Sequence, residues 1–428
     1  MTALEGGRVA TPRGFLPLLA TRLASVAATG VYFIAAAWLL IDHGGNSTEV
    51  AGLAIAMTVP SVFAALQGGV LIDRHDRRRI GQSAELARAA AVVGLAVLYT
   101  TASPALWHVY AITLVLGLGN AVTLPCYGAM LPQVLPRTRL VSGNATWQIA
   151  TQVGGIAASA LGGLLVGGGG VAGGLCTAAL GYLVAAGTLQ LVPGAASSTT
   201  AGAVAGAGAD AQATAEAGAA AGAQSRRRLR HDLAVAARSV AADRLTLLVT
   251  VFSILPPSLL AASNALLPVF TKEQLGAGPV GFGLIEGIWG GGALLAGIAL
   301  SRLAGRITDE LRLLVRSLLA VAATMLVFSL IERMSFSLPA SMMLGLAISC
   351  SGILFPAYVQ SRTEESVLGR VLSGVQFASS VMQLLMLAAI GVGGAFAPAW
   401  FMFAAMAVMT LLSAVLLSVL LRRTRAAA

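Results

Sequence analysis

The sequence predicts an all-α integral membrane protein whose twelve transmembrane helices form two parallel six-helix repeats. Three observations lead to this fold class. Hydrophobic residues make up 57% of the 428 residues and charged residues only 10%, against roughly 25% charged in a soluble protein. The chain divides into apolar segments of about 20 residues, the length that spans a bilayer. Its two halves also match each other at a constant offset of 231 residues.

Six apolar segments make up the predicted N-terminal bundle, residues 1–192. Short polar or glycine-rich stretches separate them, namely DHGGNSTE, DRHDRRR, SP, PRTR and GGGG. Because such stretches end helices, the six helices are predicted at 15–41, 50–72, 84–101, 106–131, 141–166 and 171–192.

The C-terminal bundle, residues 245–428, divides in the same way. Its interruptions are TKEQLGAGP, RITDE, ERMSFS, RTEE and AFAP. The six helices are predicted at 245–270, 280–303, 311–331, 340–358, 367–395 and 399–421.

The basic residues alternate between successive loops, and this alternation sets the orientation. With both termini in the cytoplasm, 23 of the 27 Lys and Arg residues fall on the cytoplasmic side, as the positive-inside rule requires. We therefore expect a multi-pass protein of the bacterial cytoplasmic (inner) membrane. The net charge of +10 then follows from topology, and no nucleic acid partner is expected.

Between the bundles we expect a cytoplasmic linker over residues 193–244. Its first part consists of Ala, Gly, Ser and Thr with only Asp210 and Glu216 for charge. Such a composition cannot bury a core and predicts disorder. The second part, RRRLRHDLAVAARSVAADR, places apolar residues on one helical face, as in an amphipathic helix at a membrane surface. A solvated connector explains the second part equally well.

The internal repeat relates the two bundles. At the offset of 231 residues, residues of the fourth and fifth helices coincide with those of the tenth and eleventh. Six helices per repeat give both bundles the same orientation, so the repeats are parallel, about an axis along the membrane normal. The matching pairs include Pro125 with Pro356, Tyr127 with Tyr358, Ser142 with Ser373, Gly143 with Gly374, and Gln152 with Gln383.

The stretch QGGVLIDRHDRRR between the second and third helices resembles the major facilitator superfamily signature G-x-L-x-D-R-x-G-R-R. Asp76 stands at the second glycine of that signature. The flanking stretch LGLGNAVTLPCYGAMLPQVLPRTRLVSGNATWQ is similar to the drug exporter branch that includes macrolide efflux and enterobactin export proteins. The resemblance implies the major facilitator fold and export. The matching signature residues are Gly69, Leu71, Asp73, Arg74, Arg77 and Arg78.

The signature also has a physical interpretation as a cytoplasmic gate. Asp73 ends the second helix on the face where the eleventh helix begins, and a carboxylate near a helix N-terminus is favoured by about 0.3 to 1 kcal/mol. Gly69 and Gly374 would permit close helix approach. The alternative is that Arg74, Arg77 and Arg78 only anchor the loop against anionic lipid.

Glu286, in GFGLIEGIWGGG, is the one acidic residue clearly inside an apolar segment. A carboxylate within the bilayer is costly and usually has a function, so we expect proton coupling at Glu286. A position near the outer membrane interface is the alternative, because Glu286 lies about six residues from the predicted end of its helix.

Further polar and aromatic residues inside the helices are candidates for substrate binding, with ordinary helix packing as the alternative for each. Gln152 and Gln383 are repeat mates on helices that line the cavity in the fold this sequence resembles. Arg22 would meet an anionic group or extend to the cytoplasmic interface, and Glu85 and Arg88 are expected to pair near the interface. The substrate-binding candidates are Arg22, Asn120, Gln148, Gln152, Asn264, Trp289, Gln376 and Gln383.

These features predict a secondary transporter, functioning as a monomer, that exports small amphiphilic drugs or natural products in exchange for protons. The proton antiport and a role in antibiotic resistance are implied by the resemblance. The sequence departs from related antiporters, however, because the fourth helix has no Arg and Ala158 and Ser159 replace a Gly-Pro pair. A siderophore exporter, a small-solute importer and a transport-inactive receptor remain open. The histidines and cysteines have no metal-ligand or catalytic spacing, so neither a cofactor, a metal nor an enzyme is expected.

Overall fold

The computed structural model describes residues 14–67, 76–102, 104–136, 140–193, 244–303, 309–363 and 365–427. Within these ranges the regular secondary structure is entirely helical. The linker prediction falls outside the described residues. The helices are α1 Phe15–Asp42, α2 Ser47–Gln67, α3 Arg77–Thr101, α4 Leu106–Val134, α5 Leu140–Gln190, α6 Arg244–Phe252, α7 Leu255–Glu273, α8 Pro279–Leu303, α9 Glu310–Ser329, α10 Met334–Arg362, α11 Glu365–Gly393 and α12 Ala399–Ala427.

Helix α5 contains both the fifth and the sixth predicted spans. Its 51 residues would measure about 76 Å if straight, more than twice a bilayer core. The backbone breaks at Gly170, where φ is 68°, a conformation that glycine adopts without steric cost. A Cβ at Gly174 would contact Val166, so the chain folds back on itself. The GGGG stretch is thus a hairpin, as the sequence predicts.

The seventh predicted span is interrupted rather than continuous. Helix α6 ends at Phe252 and α7 begins at Leu255, where Pro256 stands at the start of the new helix. Proline lacks the N–H that a continuous helix would need. Among the described residues, ten helices are long and apolar enough to cross a membrane. That number counts α5 once and omits the shorter apolar stretch of α2, so both arms of α5 and α2 complete the twelve spans.

The two halves show the repeat in their packing. We call α1–α5 the N half and α6–α12 the C half. Pro125 and Pro356 lie inside α4 and α10, and Tyr127 and Tyr358 are buried in both halves. In the N half α2 packs on α4 and α3 on α5, and in the C half the equivalent helices pair in the same way, α8 on α10 and α9 on α12.

The halves meet mainly at one end of the bundle. We call the end where α1 begins and α12 ends the terminus face, and the opposite end the distal face. The largest buried apolar cluster joins both halves and includes Trp38 of α1 and Phe282 of α8, whose ring centroids are 5.4 Å apart. At the terminus face each half has a separate cluster, around Phe15 in the N half and around Phe355 in the C half.

Close contacts seal the distal face between the halves. On α5 and α8, a Cβ at Gly163 would lie 2.9 Å from the Cα of Gly283. On α2 and α11, the Thr48 hydroxyl donates a hydrogen bond of 2.7 Å to the carbonyl of Gly391. The structure therefore shows two helical halves whose distal face is closed.

Candidate functional site

A cavity of about 410 Å³ lies between the two halves. Its wall comes from α1, α2, α4 and α5 of the N half and from α7, α8 and α11 of the C half. Apolar side chains such as Phe33 and Phe282 form much of it. The polar residues in the wall are Arg22, Ser25, Thr29, Thr58, Asn120, Thr151, Ser159, Asn264 and Glu286.

Arg22 brings a positive charge to the cavity wall. Its Nε donates a hydrogen bond of 3.0 Å to the Thr151 hydroxyl on α5. Its guanidinium also lies 5.4 Å from the centroid of the Trp147 ring, within the range of a cation–π contact. Within the described ranges Arg22 has no carboxylate partner, so its charge is available to a ligand in the cavity.

Glu286 brings a negative charge from the other half. It lies on α8 one turn from Gly283, whose contact with Gly163 draws α8 against α5. Ser159 of α5 lies beside the Glu286 carboxyl group, and both residues line the cavity. The half-buried Glu286 thus lies at the interface between the halves, where a change in its charge would affect the contact of α8 with α5.

The substrate candidates separate into two groups. Asn120 and Asn264 line the cavity with Arg22. Among the described residues, the cavity wall does not include the other five candidates. Of these, Gln148, Gln152 and Gln376 are exposed, and Gln383 and Trp289 are half-buried.

Helical spacing relates the glutamines to the cavity. On α5, Gln148 and Gln152 stand at i and i+4, and the cavity residue Ser159 stands at i+11.

On α11, Gln376 precedes Gln383 by seven residues, and Gln383 precedes the cavity residue Leu387 by four. Residues at these spacings share one face of a helix. The glutamines of α5 and α11 therefore lie on the cavity-facing side of their helices but nearer to the terminus face, where the halves have separate cores.

The predicted cytoplasmic gate is only partly described. Gly69, Asp73 and Arg74 lie outside the described residues, so the Asp73 contact stays a prediction. Asp76, at the position of the second signature glycine, caps α3 by accepting a hydrogen bond of 3.0 Å from the backbone N–H of Arg78. Arg77 is the first residue of α3.

Two further parts of the predicted gate are described. Arg78 donates a hydrogen bond of 3.1 Å from Nη1 to the carbonyl of Val192, which ties α3 to the end of α5 within the N half. Gly374 lies inside α11.

An ionic contact between the halves occurs at the opposite end. The Lys272 ammonium group at the end of α7 lies 2.9 Å from Asp42 Oδ1 at the end of α1, and it also donates to the carbonyl of Ile41. This pair was not predicted from the sequence. Two features of the sequence could have indicated the pair. Lys272 is one of only two basic residues expected outside the cell, and Asp42 ends the first helix at nearly the equivalent position of the repeat.

Glu85 and Arg88 form the predicted pair, and they do so inside the N half. Arg88 Nη1 lies 3.2 Å from Glu85 Oε2, and both side chains are 0% exposed. Side chains of α1, α4 and α5 enclose the pair. The spacing of three residues on a helix predicts the pairing, whereas the enclosure depends on distant segments of the chain.

Comparisons with known proteins agree with this architecture. A family model described as the Major Facilitator Superfamily matches residues 18–387. The multidrug efflux pump Tap of Mycolicibacterium fortuitum is 27% identical over 162 residues, 36% of this chain and 40% of that protein. The enterobactin exporter EntS of Salmonella typhi is 27% identical over 175 residues, 41% of this chain and 42% of that protein. The chain thus spans about two fifths of the length of these relatives.

Solved structures share the fold over nearly the whole chain. A peptide transporter POT in complex with sulfate superimposes with a TM-score of 0.72 at 13% identity, covering 98% of this chain and 96% of that one. The nucleoside transporter NupG superimposes with a TM-score of 0.70 at 13% identity, covering 95% and 98%. At such identities the likeness concerns the fold alone.

Proposed function

The chain belongs to the Major Facilitator Superfamily of transporters, and on that premise we propose that it exports small amphiphilic drugs or natural products by proton-coupled alternating access. The observation that carries the proposal is the cavity between the halves, which is sealed at the distal face by the α5–α8 and α2–α11 contacts. Alternating access requires such a site at the interface of two repeats that rock against each other.

The chemistry of the cavity wall supports an amphiphilic substrate. Aliphatic and aromatic side chains can cover an apolar surface, Asn120 and Asn264 offer hydrogen bonds, and Glu286 offers a negative charge to an amine or a hydroxyl group. Among the described lining residues Arg22 is the only cation. A substrate with several negative charges would lack counter-charges there, which favours neutral or weakly cationic compounds.

The proposed direction and orientation have separate support. The relatives are a multidrug efflux pump and an enterobactin exporter, which favours export. The excess of Lys and Arg at the terminus face favours a cytoplasmic location for that face and hence the bacterial cytoplasmic membrane. On this orientation the structure is the state that loads substrate from the cytoplasm. We further propose that the monomer is the transporting unit, because the cavity is complete within one chain.

Export of an anionic siderophore is the second candidate. It is favoured by the likeness to the enterobactin exporter and by the position of Arg22 in the cavity wall. Replacing Arg22 by Gln would abolish siderophore export but would leave the export of cationic compounds intact, so this variant separates the two candidates.

The proposal is tested by measuring efflux of macrolides, dyes and siderophores from cells that express the wild type or Glu286→Gln, at several external pH values. We expect acid-stimulated export by the wild type and loss of that stimulation in the variant. The matched control is Glu310→Gln, which removes an exposed carboxylate at the start of α9 and should export like the wild type.

The other outcomes are equally informative. Equal, pH-dependent export by the wild type and Glu286→Gln would contradict the coupling role of Glu286 while leaving the exporter proposal intact. No export of any compound would contradict drug export. Ligand binding by purified protein without flux in vesicles would indicate a receptor, and accumulation in place of efflux would indicate an importer.

A further inference from the structure

A further cavity lies in the C half, apart from the cavity between the halves. It has a volume of about 310 Å³ and is lined by α7, α11, α12 and the loop between α11 and α12. Buried side chains form its floor, among them Ala262 of α7, Met386 of α11 and Met406 of α12. Ala389 and Ala405 line it as well and are exposed. The cavity is therefore a cleft that opens between α11 and α12 on the outside of the bundle, and we call it the α11–α12 cleft.

The wall of the cleft is apolar throughout. It consists of Ala, Gly, Ile, Met and Phe, and within the described ranges no charged or hydrogen-bonding side chain lines it. A cavity without polar groups does not hold ordered water and takes up apolar ligands instead. Four of the lining residues are methionines, whose flexible thioether side chains adapt to irregular apolar surfaces. This chemistry fits a flexible hydrocarbon chain.

The N half shows how protein fills the equivalent space. At the offset of 231 residues, Val166 and Gly174 of α5 correspond to Ala397 and Ala405. A Cβ at Gly174 would lie 2.6 Å from Val166 Cγ2 and 3.0 Å from the Cβ of Ala35 on α1, so the second arm of α5 packs directly on the first arm and on α1. In the C half an alanine replaces the valine, and both alanines line the cleft. The cleft thus occurs where the C half departs from the packing of the N half.

The cleft continues as a groove along the outer side of α12. The groove shares Phe401, Ala405 and Met409 with the cleft and extends to Leu416. From Phe401 to Leu416 the helix rises about 22 Å, which exceeds the roughly 15 Å of hydrocarbon in one leaflet of a bilayer. The cleft and the groove together therefore have the length to hold an acyl chain.

Aromatic side chains indicate where the lipid headgroup would lie. Trp400 and Phe401 stand at the start of α12, at the distal face, and both are exposed. Tryptophan is enriched where a bilayer meets water. The cleft begins near this level, at Ala397, and runs inward to Met386 and Met409. A phospholipid in the leaflet at the distal face can thus keep its headgroup in water while one acyl chain enters the cleft.

We propose that the α11–α12 cleft is a lipid-binding site that holds one acyl chain of a phospholipid from the leaflet at the distal face. The inference goes beyond the proposed function, because it requires only that the protein spans a membrane. Ala262 lines the cleft, and its neighbour Ala261 lines the cavity between the halves. The bound chain therefore packs on the back of α7, a helix that also forms part of the cavity wall.

The test uses the wild-type protein in phosphatidylcholine nanodiscs in which some lipids carry a photoactivatable diazirine in one acyl chain. After illumination, the labelled residues are identified by mass spectrometry. Met409 of the cleft is compared with Met343 of α10. These residues lie ten and nine residues from helix starts at the distal face, and hence at nearly equal depth. Met343 is 62% exposed and Met409 37%, so unspecific contact with lipid would label Met343 more.

We expect the opposite order. Met409 should be labelled at least about fivefold more than Met343, a ratio that about 1 kcal/mol of preference for the cleft produces. Met406 should be labelled too, although it is buried in the floor, because a chain inside the cleft reaches it. These two results come from the wild type and do not depend on the folding of a variant.

Two variants test whether the labelling comes from the cleft. Ala405→Phe narrows the opening, and Ala397→Val introduces the residue that fills the equivalent space in the N half. Both should reduce the labelling of Met406, the first almost completely. The matched control is Ala320→Phe, which enlarges an exposed alanine of α9 and should be labelled like the wild type.

Three results would overturn the inference. The first is labelling of Met343 equal to or greater than that of Met409, and the second is labelling of Met406 in Ala405→Phe equal to that in Ala320→Phe. The third is protection of Met409 together with a photo-cross-linked dimer, which would mean that a second copy of the chain covers the cleft. Failure of the exporter proposal would appear separately, as absence of flux in cells, and would leave the labelling unchanged.

Discussion

Among the described residues, the closest glycine packing between the halves leads to a quantitative prediction about the distal face. A Cβ at Gly283 would lie 2.5 Å from the carbonyl oxygen of Ser159 and 3.0 Å from the Cα of Gly163, and all of these atoms belong to backbone that cannot rotate away. Gly283→Ala should therefore push α8 away from α5. Overpacking of this kind costs about 1 to 3 kcal/mol, and the cost falls on the closed distal face.

A difference of one to two kcal/mol changes a two-state ratio by a factor of about 5 to 30. The matched control is Gly287→Ala, one turn further along α8, where a Cβ would meet nothing within 4 Å. Both substitutions replace a helical glycine by alanine, so the gain in helix propensity, about 1 kcal/mol, cancels in the comparison. Any difference between them then reports the contact with α5.

The assay follows a cysteine in the cavity wall, Asn264→Cys, in a background without native cysteines. A membrane-impermeant maleimide is added on the distal side, and the labelling rate reports how often the distal face opens. Gly283→Ala should be labelled at least about fivefold faster than Gly287→Ala. Equal labelling rates in the two variants would refute the conclusion that the α5–α8 contact closes the distal face.

Three further predictions concern charged residues. The half-exposed Asp42–Lys272 pair should stabilise the closed distal face by at most about 1 kcal/mol. Lys272→Met should therefore raise the rate of distal labelling less than Gly283→Ala does, and high salt should have the same effect on the wild type. Arg22→Gln should weaken the binding of anionic compounds, measured by calorimetry, while the binding of cationic dyes stays the same or improves. Asp73→Asn should increase the maleimide labelling of a cysteine near Gly374 from the terminus face, and unchanged labelling would contradict the predicted gate.

Much of the fold follows from local sequence features. The apolar segments and their polar breaks locate the helices because each membrane span must satisfy its backbone N–H and C=O groups within its own helix. The GGGG stretch correctly predicts the turn inside α5, where Gly170 takes a positive φ. Pro256 and Pro257 could have indicated the break between α6 and α7. The apolar residues on both sides of them instead predicted one continuous span.

The site was harder to predict because it depends on which helices meet. Arg22, Asn120, Asn264 and Glu286 line one cavity, and the sequence could nominate them only as polar residues in apolar segments. The partners of Glu85 are even more remote, since Ser25 and Tyr127 are 60 and 42 residues away in the chain. The rotation of each helix about its axis and the identity of its neighbouring helices are set by tertiary packing. They cannot be read directly from a single sequence.

We propose that substrate crosses the membrane through the cavity, driven by protons. The most direct test is the flux of a fluorescent cationic dye in proteoliposomes with an imposed pH gradient, comparing Ala261→Trp, which fills the cavity wall, with Ala261→Ser, which does not. The wild type and Ala261→Ser should show gradient-driven dye flux, and Ala261→Trp should lose it. Equal flux through a correctly folded Ala261→Trp, or flux that does not depend on the pH gradient, would contradict proton-driven transport through the cavity.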